Sequence, residues 1–305
     1  MKALKVVLTH PLHTEIVRQE LRPHAEVVLA TTPTQLRREL ASAHGLITLL
    51  SQPITPALLD QAPHLRVVGN YAVGVDNIDL GACAKRGIRV INTPGVLTRS
   101  TAELALTLLL GAARRAHEGL MLCQQRRFRG WAPDLLVGLE LKGRHAVLVG
   151  RGRIGRETEN LFRGVGLTTE WITRTDSAAV IAAKLSRAQV LSLHLPLSPA
   201  THHWLDSRRI ALLPPDAIVI NTARGAVIDE TALISALKRR RIFAAGLDVF
   251  EHEPEIPAAL AALPNAFLLP HLGSATVEAR SAMAHLVIHG VLTVLRGKRP
   301  KNLVV

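Results

Sequence analysis

The stretch Val147-Leu-Val-Gly-Arg-Gly-Arg-Ile-Gly155 decides the fold of the larger part of this chain. An apolar strand runs directly into Gly-x-Gly-x-x-Gly, and a helix is predicted to begin at about Arg153. Gly150 permits a tight turn, Gly152 lets the backbone approach a pyrophosphate, and Gly155 lets the helix pack on the strand. The N–H groups of the first helical turn then face the phosphates. This order predicts a dinucleotide site; the alternative is a glycine-rich turn without a ligand.

The composition favours parallel sheets covered by helices. The chain has 305 residues, enough for two domains with cores of their own. Aromatic residues make up 3% and hydrophobic residues 48%, so the core must consist mostly of Leu, Val, Ile and Ala. Such residues are typical of strands that are buried on both faces.

The formal net charge of +13 suggests an anionic partner. Nucleic acid is one candidate, but the basic residues are scattered in short groups such as Arg114-Arg115, Arg126–Arg129 and Lys238–Arg241. No aromatic residues alternate with them as a stacking surface would need. We therefore expect an anionic substrate and cofactor, and no nucleic acid.

Cysteine usage and hydropathy predict a cytoplasmic protein. Cys83 and Cys123 belong to no Cys-x-x-Cys pair, so the sequence indicates neither a zinc site nor a disulfide framework, and we expect no bound metal. Both cysteines are predicted to be buried, reduced thiols. The longest apolar run, Leu104–Ala113, is too short to span a bilayer. The first residues resemble a strand and lack the layout of a signal peptide.

The first hundred residues alternate strand and helix patterns, which predicts an open α/β sheet. Asp79 is a candidate N-cap, and Gly87 follows the last turn of the same helix. Four apolar runs predict strands, and Thr34–Ala43 is the clearest helix between them. The predicted strands are Lys5–Leu8, Leu46–Leu50, Val67–Gly69 and Arg89–Ile91.

At residue 100 the pattern changes to a long apolar helix. Ser100-Thr-Ala-Glu103 matches a capping box, so Glu103 is interpreted as a helix-capping residue rather than as a catalytic acid. We expect one largely buried helix from 101 to about Cys123. An irregular arm over 124–139 follows and contains Phe128 and Trp131.

From residue 145 onward six strand patterns and a final helix follow. Six parallel strands with the glycine loop after the first indicate a doubly wound dinucleotide fold. The last helix places Met283, Val287, Gly290, Val291 and Val294 on one face. The predicted strands are His145–Gly150, Glu170–Thr173, Val190–Leu195, Ala217–Asn221, Ala244–Val249 and Phe267–Pro270.

Chemically active residues follow three neighbouring strands of this predicted sheet. Ligands of such sheets bind beyond the carboxyl ends of the strands. Arg224, several acids and His271 all emerge at that edge. Reduction of a 2-oxo acid needs a cation for the carboxylate, which an Arg supplies as a two-donor fork, and a proton donor, which a His supplies. A neighbouring carboxylate would orient the imidazole; Glu251, Glu253 and Glu255 all remain candidates.

The chain resembles the D-isomer-specific 2-hydroxyacid dehydrogenases over nearly its whole length, and most of all their glyoxylate and hydroxypyruvate reductase branch. The resemblance implies two doubly wound parallel-sheet α/β domains, with a Rossmann domain at 98–274 inserted into a flavodoxin-like substrate domain formed by 1–97 and 275–305. The stretches that carry the resemblance are Asn70–Asp79, Asn92–Thr98, Gly150–Gly155, Val190–Pro196, Asn221–Gly225, Gly246–Phe250 and Pro270–Ser274.

The resemblance also implies roles for single residues. Arg224, Glu253 and His271 would form the catalytic set, which selects Glu253 over its neighbours. Asp248 would contact the nicotinamide side of the cofactor. The substrate would lie against Leu50, Val73, Gly74 and Trp131 as well as Arg224 and His271. The cofactor would contact Gly150, Arg151, Gly152, Arg153, Ile154, Gly155, Thr173, Arg174, Thr175, His194, Pro196, Thr222, Ala223, Asp248, Thr98 and Ser274.

Two positions depart from the family pattern. Arg151 stands where apolar residues are usual, and lies either above the pyrophosphate or in solvent. The second strand ends in Thr173-Arg-Thr175, where an NAD site has an acidic residue for the ribose hydroxyls. We therefore predict that NADPH is preferred and NAD is possible. The alternative is that Arg174 faces solvent and Glu170 or Asp176 binds the ribose.

These features together predict a reductase that transfers a hydride from NAD(P)H to a small 2-oxo acid, with His271 as general acid. Glyoxylate and hydroxypyruvate would give glycolate and D-glycerate. Phosphite oxidation is a rival, but Val73 stands where that activity relies on a lysine. A catalytically silent, dinucleotide-sensing regulator is the other rival. We also expect a homodimer through the helix at 101–123 and the arm, in which Trp131 either approaches the partner's active site or is a core aromatic.

Overall fold

The computed structural model describes residues 4–305, which form two compact units. The first unit comprises the chain up to Leu97 together with Ala275–Val305, and the second comprises Thr98–Ser274. The strands are β1 Lys5–Leu8, β2 Glu26–Leu29, β3 Gly45–Thr48, β4 Val67–Asn70, β5 Arg89–Ile91, β6 His145–Val149, β7 Thr168–Ile172, β8 Val190–Leu193, β9 Ile218–Asn221, β10 Ala244–Leu247 and β11 Ala266–Leu268.

Twelve α-helices lie in the described part of the chain, together with a π-helical turn at Val17–Leu21 and a 3₁₀ turn at Gly225–Val227. The helices are α1 Thr14–Ile16, α2 Pro33–Leu40, α3 Pro56–Leu59, α4 Leu80–Lys85, α5 Thr98–Ala113, α6 Ala116–Gln124, α7 Arg153–Gly164, α8 Ala178–Leu185, α9 Ser207–Ile210, α10 Glu230–Lys238, α11 Ala258–Ala261 and α12 Val277–Leu295.

The first unit contains a five-stranded parallel sheet in the order β2-β1-β3-β4-β5. The four strands predicted in this region are all present. Strand β2 was missed. It pairs only with β1, and two of its residues are half-buried while the other two are exposed, so its sequence lacks a clear apolar run. Asp79 caps α4 as predicted, since its carboxylate accepts the N–H of Ala82 at 2.7 Å.

Helix α12 packs on the central strands of the first unit. A Cβ on Gly69 of β4 would lie 2.8 Å from methyl groups of both Val287 and Val291, so only glycine allows this approach. The predicted apolar face is confirmed: Met283, Val287, Gly290, Val291 and Val294 are all buried. Gly297, with φ of 74°, follows the helix as expected.

The second unit contains a six-stranded parallel sheet in the order β11-β10-β9-β8-β6-β7. All six predicted strands and the predicted α/β class are confirmed. The direction of winding reverses between β6 and β8, and the crevice beyond that switch point is where doubly wound sheets bind ligands. The glycine loop after β6 lies at that edge of the sheet.

The expected single helix over 101–123 is wrong. Two helices, α5 and α6, occupy the region, because Arg115 has a left-handed φ of 53° and interrupts the helical backbone between them. The capping box is also wrong: α5 already begins at Thr98, and the carboxylate of Glu103 accepts a hydrogen bond from Arg99 at 2.6 Å. Helix α5 buries one face, whereas α6 has no buried residue.

The two cysteines differ in exposure. Cys83 is fully buried, and burial raises the pKa of its thiol to about 11. Cys123 is exposed, so the expectation that both thiols are buried is wrong for it. Among the helices of residues 4–305, none has the length and apolar composition that crossing a membrane requires.

Candidate active site in the second unit

The loop after β6 has the shape that its glycines predict. Gly150 has φ of +100°, and a Cβ there would lie 2.5 Å from the carbonyl oxygen of His194. A Cβ on Gly155 would lie 2.3 Å from the Gly150 carbonyl oxygen, which explains the close packing of α7 on the strand. Gly152 faces open space, since a Cβ there would meet no heavy atom within 4 Å. The space above the first turn of α7 therefore remains free for a phosphate group.

Arg151 and the end of β7 place positive charge beside this loop. The Arg151 side chain is exposed, and its guanidinium carbon lies 5.8 Å from the ring centroid of Trp171, within cation–π range. Thr173, Arg174 and Thr175 follow β7 and are all exposed. The two threonine hydroxyls lie 3.0 Å apart.

The two acids that could bind a ribose in place of Arg174 are already engaged. Asp176 accepts hydrogen bonds from Lys184 at 2.8 Å and from the Thr173 N–H at 2.9 Å. Both carboxylate oxygens of Glu170 accept from Nη2 of Arg187 at 2.7 Å. The pKa of each carboxyl is lowered. For Asp176 the Lys184 hydrogen bond is the main cause, whereas for Glu170 burial opposes ionisation but Arg187 and His145 outweigh it.

Two buried polar atoms at the ends of β8 and β9 lack partners in the described chain. They are Nδ1 of His194 and Oγ1 of Thr222. Burial lowers the pKa of His194 to about 4, so its imidazole is neutral, and its Nε2 lies 2.9 Å from the Ser192 hydroxyl. Unsatisfied buried polar atoms are costly. Together with the open cradle at Gly152, they fit a polar molecule, such as a dinucleotide, bound at this edge.

The segment after β9 presents Arg224. Asn221 fixes the turn, because its side chain accepts the Ala223 N–H at 3.0 Å and donates to the Arg224 carbonyl at 2.9 Å. Nη1 of Arg224 also donates to the Ala223 carbonyl at 2.7 Å. The next residue, Gly225, touches the backbone after β10: a Cβ there would lie 1.9 Å from the carbonyl carbon of Phe250. The Arg224 segment and the loop after Phe250 are thus held together.

Glu253 and His271 meet beside this segment. Nδ1 of His271 lies 2.7 Å from Oε2 of Glu253, and each side chain keeps 28% of its accessible surface. Burial opposes ionisation of Glu253, but the hydrogen bond and charge of His271, the Phe250 N–H and the Arg224 charge outweigh it and lower the pKa of this carboxyl. Of the three glutamates that spacing left open, Glu253 is the one that contacts His271.

Asp248 shapes the loop that carries His271. Its carboxylate accepts the N–H groups of Leu272 at 2.6 Å and Gly273 at 2.8 Å. Burial raises the pKa of this carboxyl to about 6. The Thr101 hydroxyl of α5 donates to the Gly273 carbonyl at 2.9 Å. The loop between β11 and Ser274 is therefore fixed from two sides.

The remaining residues that the sequence analysis singled out lie in several places. Thr98 is the first residue of α5, Pro196 follows His194, and Trp131 in the arm is 85% exposed. The alternative that Trp131 is a core aromatic of its own chain is wrong.

In the first unit, Leu50 follows β3. The loop of Val73 and Gly74 follows β4, where the carbonyls of these two residues accept side-chain hydrogen bonds from Asn92 and Asn70 at 2.7 Å.

Sequence reasoning missed one group of side chains beside the loop that follows β10. His203 Nε2 lies 2.7 Å from Glu251 Oε1, and the centroids of the His202 and His203 rings lie 4.0 Å apart with the ring planes tilted by 30°. His203 and Glu251 are 48 positions apart in the chain, so no local spacing could indicate the contact. The adjacent histidines were the only available signal.

Comparison with known proteins identifies the family. The sequence model described as "D-isomer specific 2-hydroxyacid dehydrogenase, NAD binding domain" matches residues 106–273. The chain is 41% identical over 283 residues to a protein named glyoxylate reductase from Thermococcus litoralis, covering 88% of this chain and 86% of that protein.

Solved structures agree with this assignment. A Thermus thermophilus protein superposes with a TM-score of 0.93 at 39% identity, covering 99% of this chain and 100% of the other. The NADPH-dependent glyoxylate/hydroxypyruvate reductase of Sinorhizobium meliloti, solved with NADP and malonate, superposes with a TM-score of 0.89 at 30% identity, covering 99% and 97%. The predicted family, fold class and enzyme class are confirmed. The chain therefore belongs to the D-isomer specific 2-hydroxyacid dehydrogenases, oxidoreductases that interconvert 2-hydroxy and 2-oxo acids with a nicotinamide dinucleotide.

Proposed function

We propose that this enzyme reduces glyoxylate or hydroxypyruvate, giving glycolate or D-glycerate, and that NADPH is its preferred cofactor. The observation that carries the proposal is the 2.7 Å hydrogen bond between Glu253 and His271 at the sheet edge that also holds Arg224 and the glycine loop. The similarity to proteins named glyoxylate reductase supports the choice of substrate class.

In this proposal each catalytic side chain has one task. The guanidinium of Arg224 binds the substrate carboxylate through two parallel donors. His271 donates a proton to the carbonyl oxygen as that oxygen gains negative charge. Glu253, on the opposite nitrogen of the ring, fixes the orientation of the imidazole and favours its charged form. The bound nicotinamide would supply the hydride, while the protein would hold the substrate in position and supply the proton.

The cofactor would occupy the crevice beyond β6, β7 and β8. The N–H groups at the start of α7, including those of Arg153 and Ile154, would bind the pyrophosphate beside Gly152. The unpaired atoms of His194 and Thr222 would gain partners, and Asp248 would lie on the nicotinamide side. Arg174, with Thr173 and Thr175, would bind the 2′-phosphate of NADPH, a role supported by the engagement of Asp176 and Glu170 elsewhere.

We also assign the loop after β4 of the first unit to substrate binding. The loop of Val73 and Gly74 is fixed by two asparagine side chains. Its N–H groups would bind the substrate carboxylate, and Leu50 would contact the substrate. Val73 stands at the position where phosphite oxidation relies on a lysine, which weighs against that rival.

We propose that the active form is a homodimer. The last turns of α5, helix α6 and the arm present several exposed apolar side chains, which is unusual for a monomer surface. Trp131 would then approach the partner subunit. The exposed set comprises Leu110, Leu120, Met121, Phe128, Trp131, Leu135 and Val137. A monomeric mass by light scattering at micromolar concentration would contradict this assembly. The cytoplasmic location stays a prediction.

A steady-state assay tests the activity. Initial rates with NADPH and with NADH would be measured over glyoxylate, hydroxypyruvate, pyruvate and bulkier 2-oxo acids, with phosphite and NADP in the reverse direction. We expect the highest kcat/KM for glyoxylate or hydroxypyruvate with NADPH. Turnover of none of the 2-oxo acids, with retained binding of the dinucleotide, would instead support a silent regulator.

A further inference from the structure

Three side chains with metal-ligating atoms converge beside the loop that follows β10. They are His202, His203 and Glu251, and one ligand atom from each lies within 4.8 Å of the others. Among residues 4–305 this is the one such group of three or more histidine, cysteine or acidic residues. It lies outside the catalytic set, because Glu251 contacts His203 and not His271.

The arrangement is held by the backbone on both sides. The His203 N–H donates to the Ala226 carbonyl at 2.8 Å, and the Glu251 N–H donates to a carboxylate oxygen of Glu230 at 3.2 Å. The two imidazole planes are inclined by 30° with centroids 4.0 Å apart, so the second ring is held close to the first. The group therefore exists before any ion arrives.

The donor set suits one class of ion. Two imidazoles and one carboxylate are ligands of zinc and of neighbouring divalent transition ions, whereas magnesium and calcium favour oxygen ligands. A bare hydrogen bond between His203 and Glu251 would account for those two residues alone. It would not account for the second imidazole, whose ring centroid lies 4.0 Å from that of the first although His202 is exposed to solvent.

Zinc would need only small movements of these side chains. With bonds of about 2.0–2.2 Å in a tetrahedral arrangement, ligand atoms lie roughly 3.3 Å apart. The His203–Glu251 pair would open from 2.7 Å, and no other pair of ligand atoms would have to close from more than 4.8 Å. The exposure of His202 leaves the fourth position to water.

We propose that His202, His203 and Glu251 form a binding site for one divalent zinc-class ion, separate from the catalytic residues. Zn²⁺ itself is the probe. Its binding to the purified, metal-stripped protein would be measured by competition with a chromophoric chelator and by equilibrium dialysis, for the wild type, His202→Asn and Glu251→Gln. Each substitution removes one ligand and keeps a polar side chain of similar shape.

A matched control is available in the first unit. Nδ1 of His285 lies 2.7 Å from Oε1 of Glu20, which is a histidine–carboxylate pair without a second imidazole. We expect one tight Zn²⁺ per chain in the wild type and in His285→Asn. We expect an affinity lower by about 10- to 100-fold or more in His202→Asn and Glu251→Gln, since even loss of a residue that only supports a ligand has that effect.

A second measurement separates binding from folding. All four proteins should melt at the same temperature without metal, and Zn²⁺ should raise the melting temperature of the wild type and the control alone, because an ion that binds only the folded state stabilises it. Equal Zn²⁺ affinity in the wild type and His202→Asn would overturn the proposal. So would an equal loss in His285→Asn, which would indicate scattered surface histidines.

Discussion

Nδ1 of His271 lies 2.7 Å from Oε2 of Glu253, although the two residues follow different strands of the second unit. The other carboxylate oxygen, Oε1, accepts the Phe250 N–H at 3.1 Å. The carboxylate is therefore fixed by backbone and imidazole together. With Nδ1 engaged, Nε2 is the nitrogen that can exchange a proton with a substrate.

His271→Ala should remove most of the turnover. General acid catalysis contributes roughly 10²–10⁴-fold, so we expect kcat to fall within that range while the Kd for NADPH changes little. His285→Ala, which breaks the His285–Glu20 pair at the surface of the first unit, is the matched control and should behave as the wild type. A near-native kcat in His271→Ala would show that another group is the acid.

Glu253→Gln should change the pH dependence more than the fold. The lowered pKa of Glu253 means that the carboxylate stays charged throughout the neutral range and stabilises a protonated imidazole beside it. Glutamine keeps the shape but not the charge. We expect kcat/KM for reduction to fall at neutral and higher pH, because the imidazole loses the negative charge that stabilises its protonated form. An unchanged profile would show that Glu253 contributes packing only.

Gly225→Ala should separate the two loops that carry Arg224 and Glu253. A Cβ there would lie 1.9 Å from the Phe250 carbonyl carbon and 2.3 Å from the Glu251 nitrogen, and backbone atoms cannot move aside as a flexible side chain can. We expect a loss of about 1–3 kcal/mol in the free energy of unfolding. A shift of about 1 Å in a catalytic group can lower kcat by about 10²-fold.

Gly164→Ala is the control for that substitution. Gly164 ends α7, and a Cβ there meets no heavy atom within 4 Å. The change should leave kcat unaltered and leave the protein equally stable or more stable by up to about 1 kcal/mol. If both variants behaved alike in denaturant and kinetic measurements, the tight contact between Gly225 and Phe250 would have no role in the site.

The sequence predicted the sheet of the second unit well, because most of its strands are apolar runs: β8, β9 and β10 are fully buried, and so are four of the five residues of β6. It failed where tertiary contacts decide local structure. The left-handed Arg115 breaks a helix in a stretch that has no proline, and the nearest glycines, Gly111 and Gly119, both lie inside helices. The edge strand β2 carries too few buried residues to produce a clear pattern.

The site shows the same division. The strand-end rule is enough to place Arg224, Asp248 and His271 at one edge of the sheet from the order of strands and loops alone. It cannot choose among Glu251, Glu253 and Glu255, since all three lie in one irregular loop. Only the fold shows that Glu251 turns to His203 while Glu253 turns to His271, because the partners come from segments distant in sequence.

Arg174→Ala tests the proposed preference for NADPH. Arg174 lies nineteen residues after Gly155, close to the position that selects between ribose and 2′-phosphate. Hydrogen bonds to charged groups contribute about 1.5–3 kcal/mol, so kcat/KM for NADPH should fall by roughly 10- to 100-fold, with little change for NADH. Neither acid near it can replace it readily, since Asp176 is held by Lys184 and Glu170 by Arg187. Arg208→Ala, at an exposed position on α9, is the control and should alter neither cofactor's kinetics. A wild-type preference for NADH, or equal losses for both cofactors in Arg174→Ala, would refute the assignment.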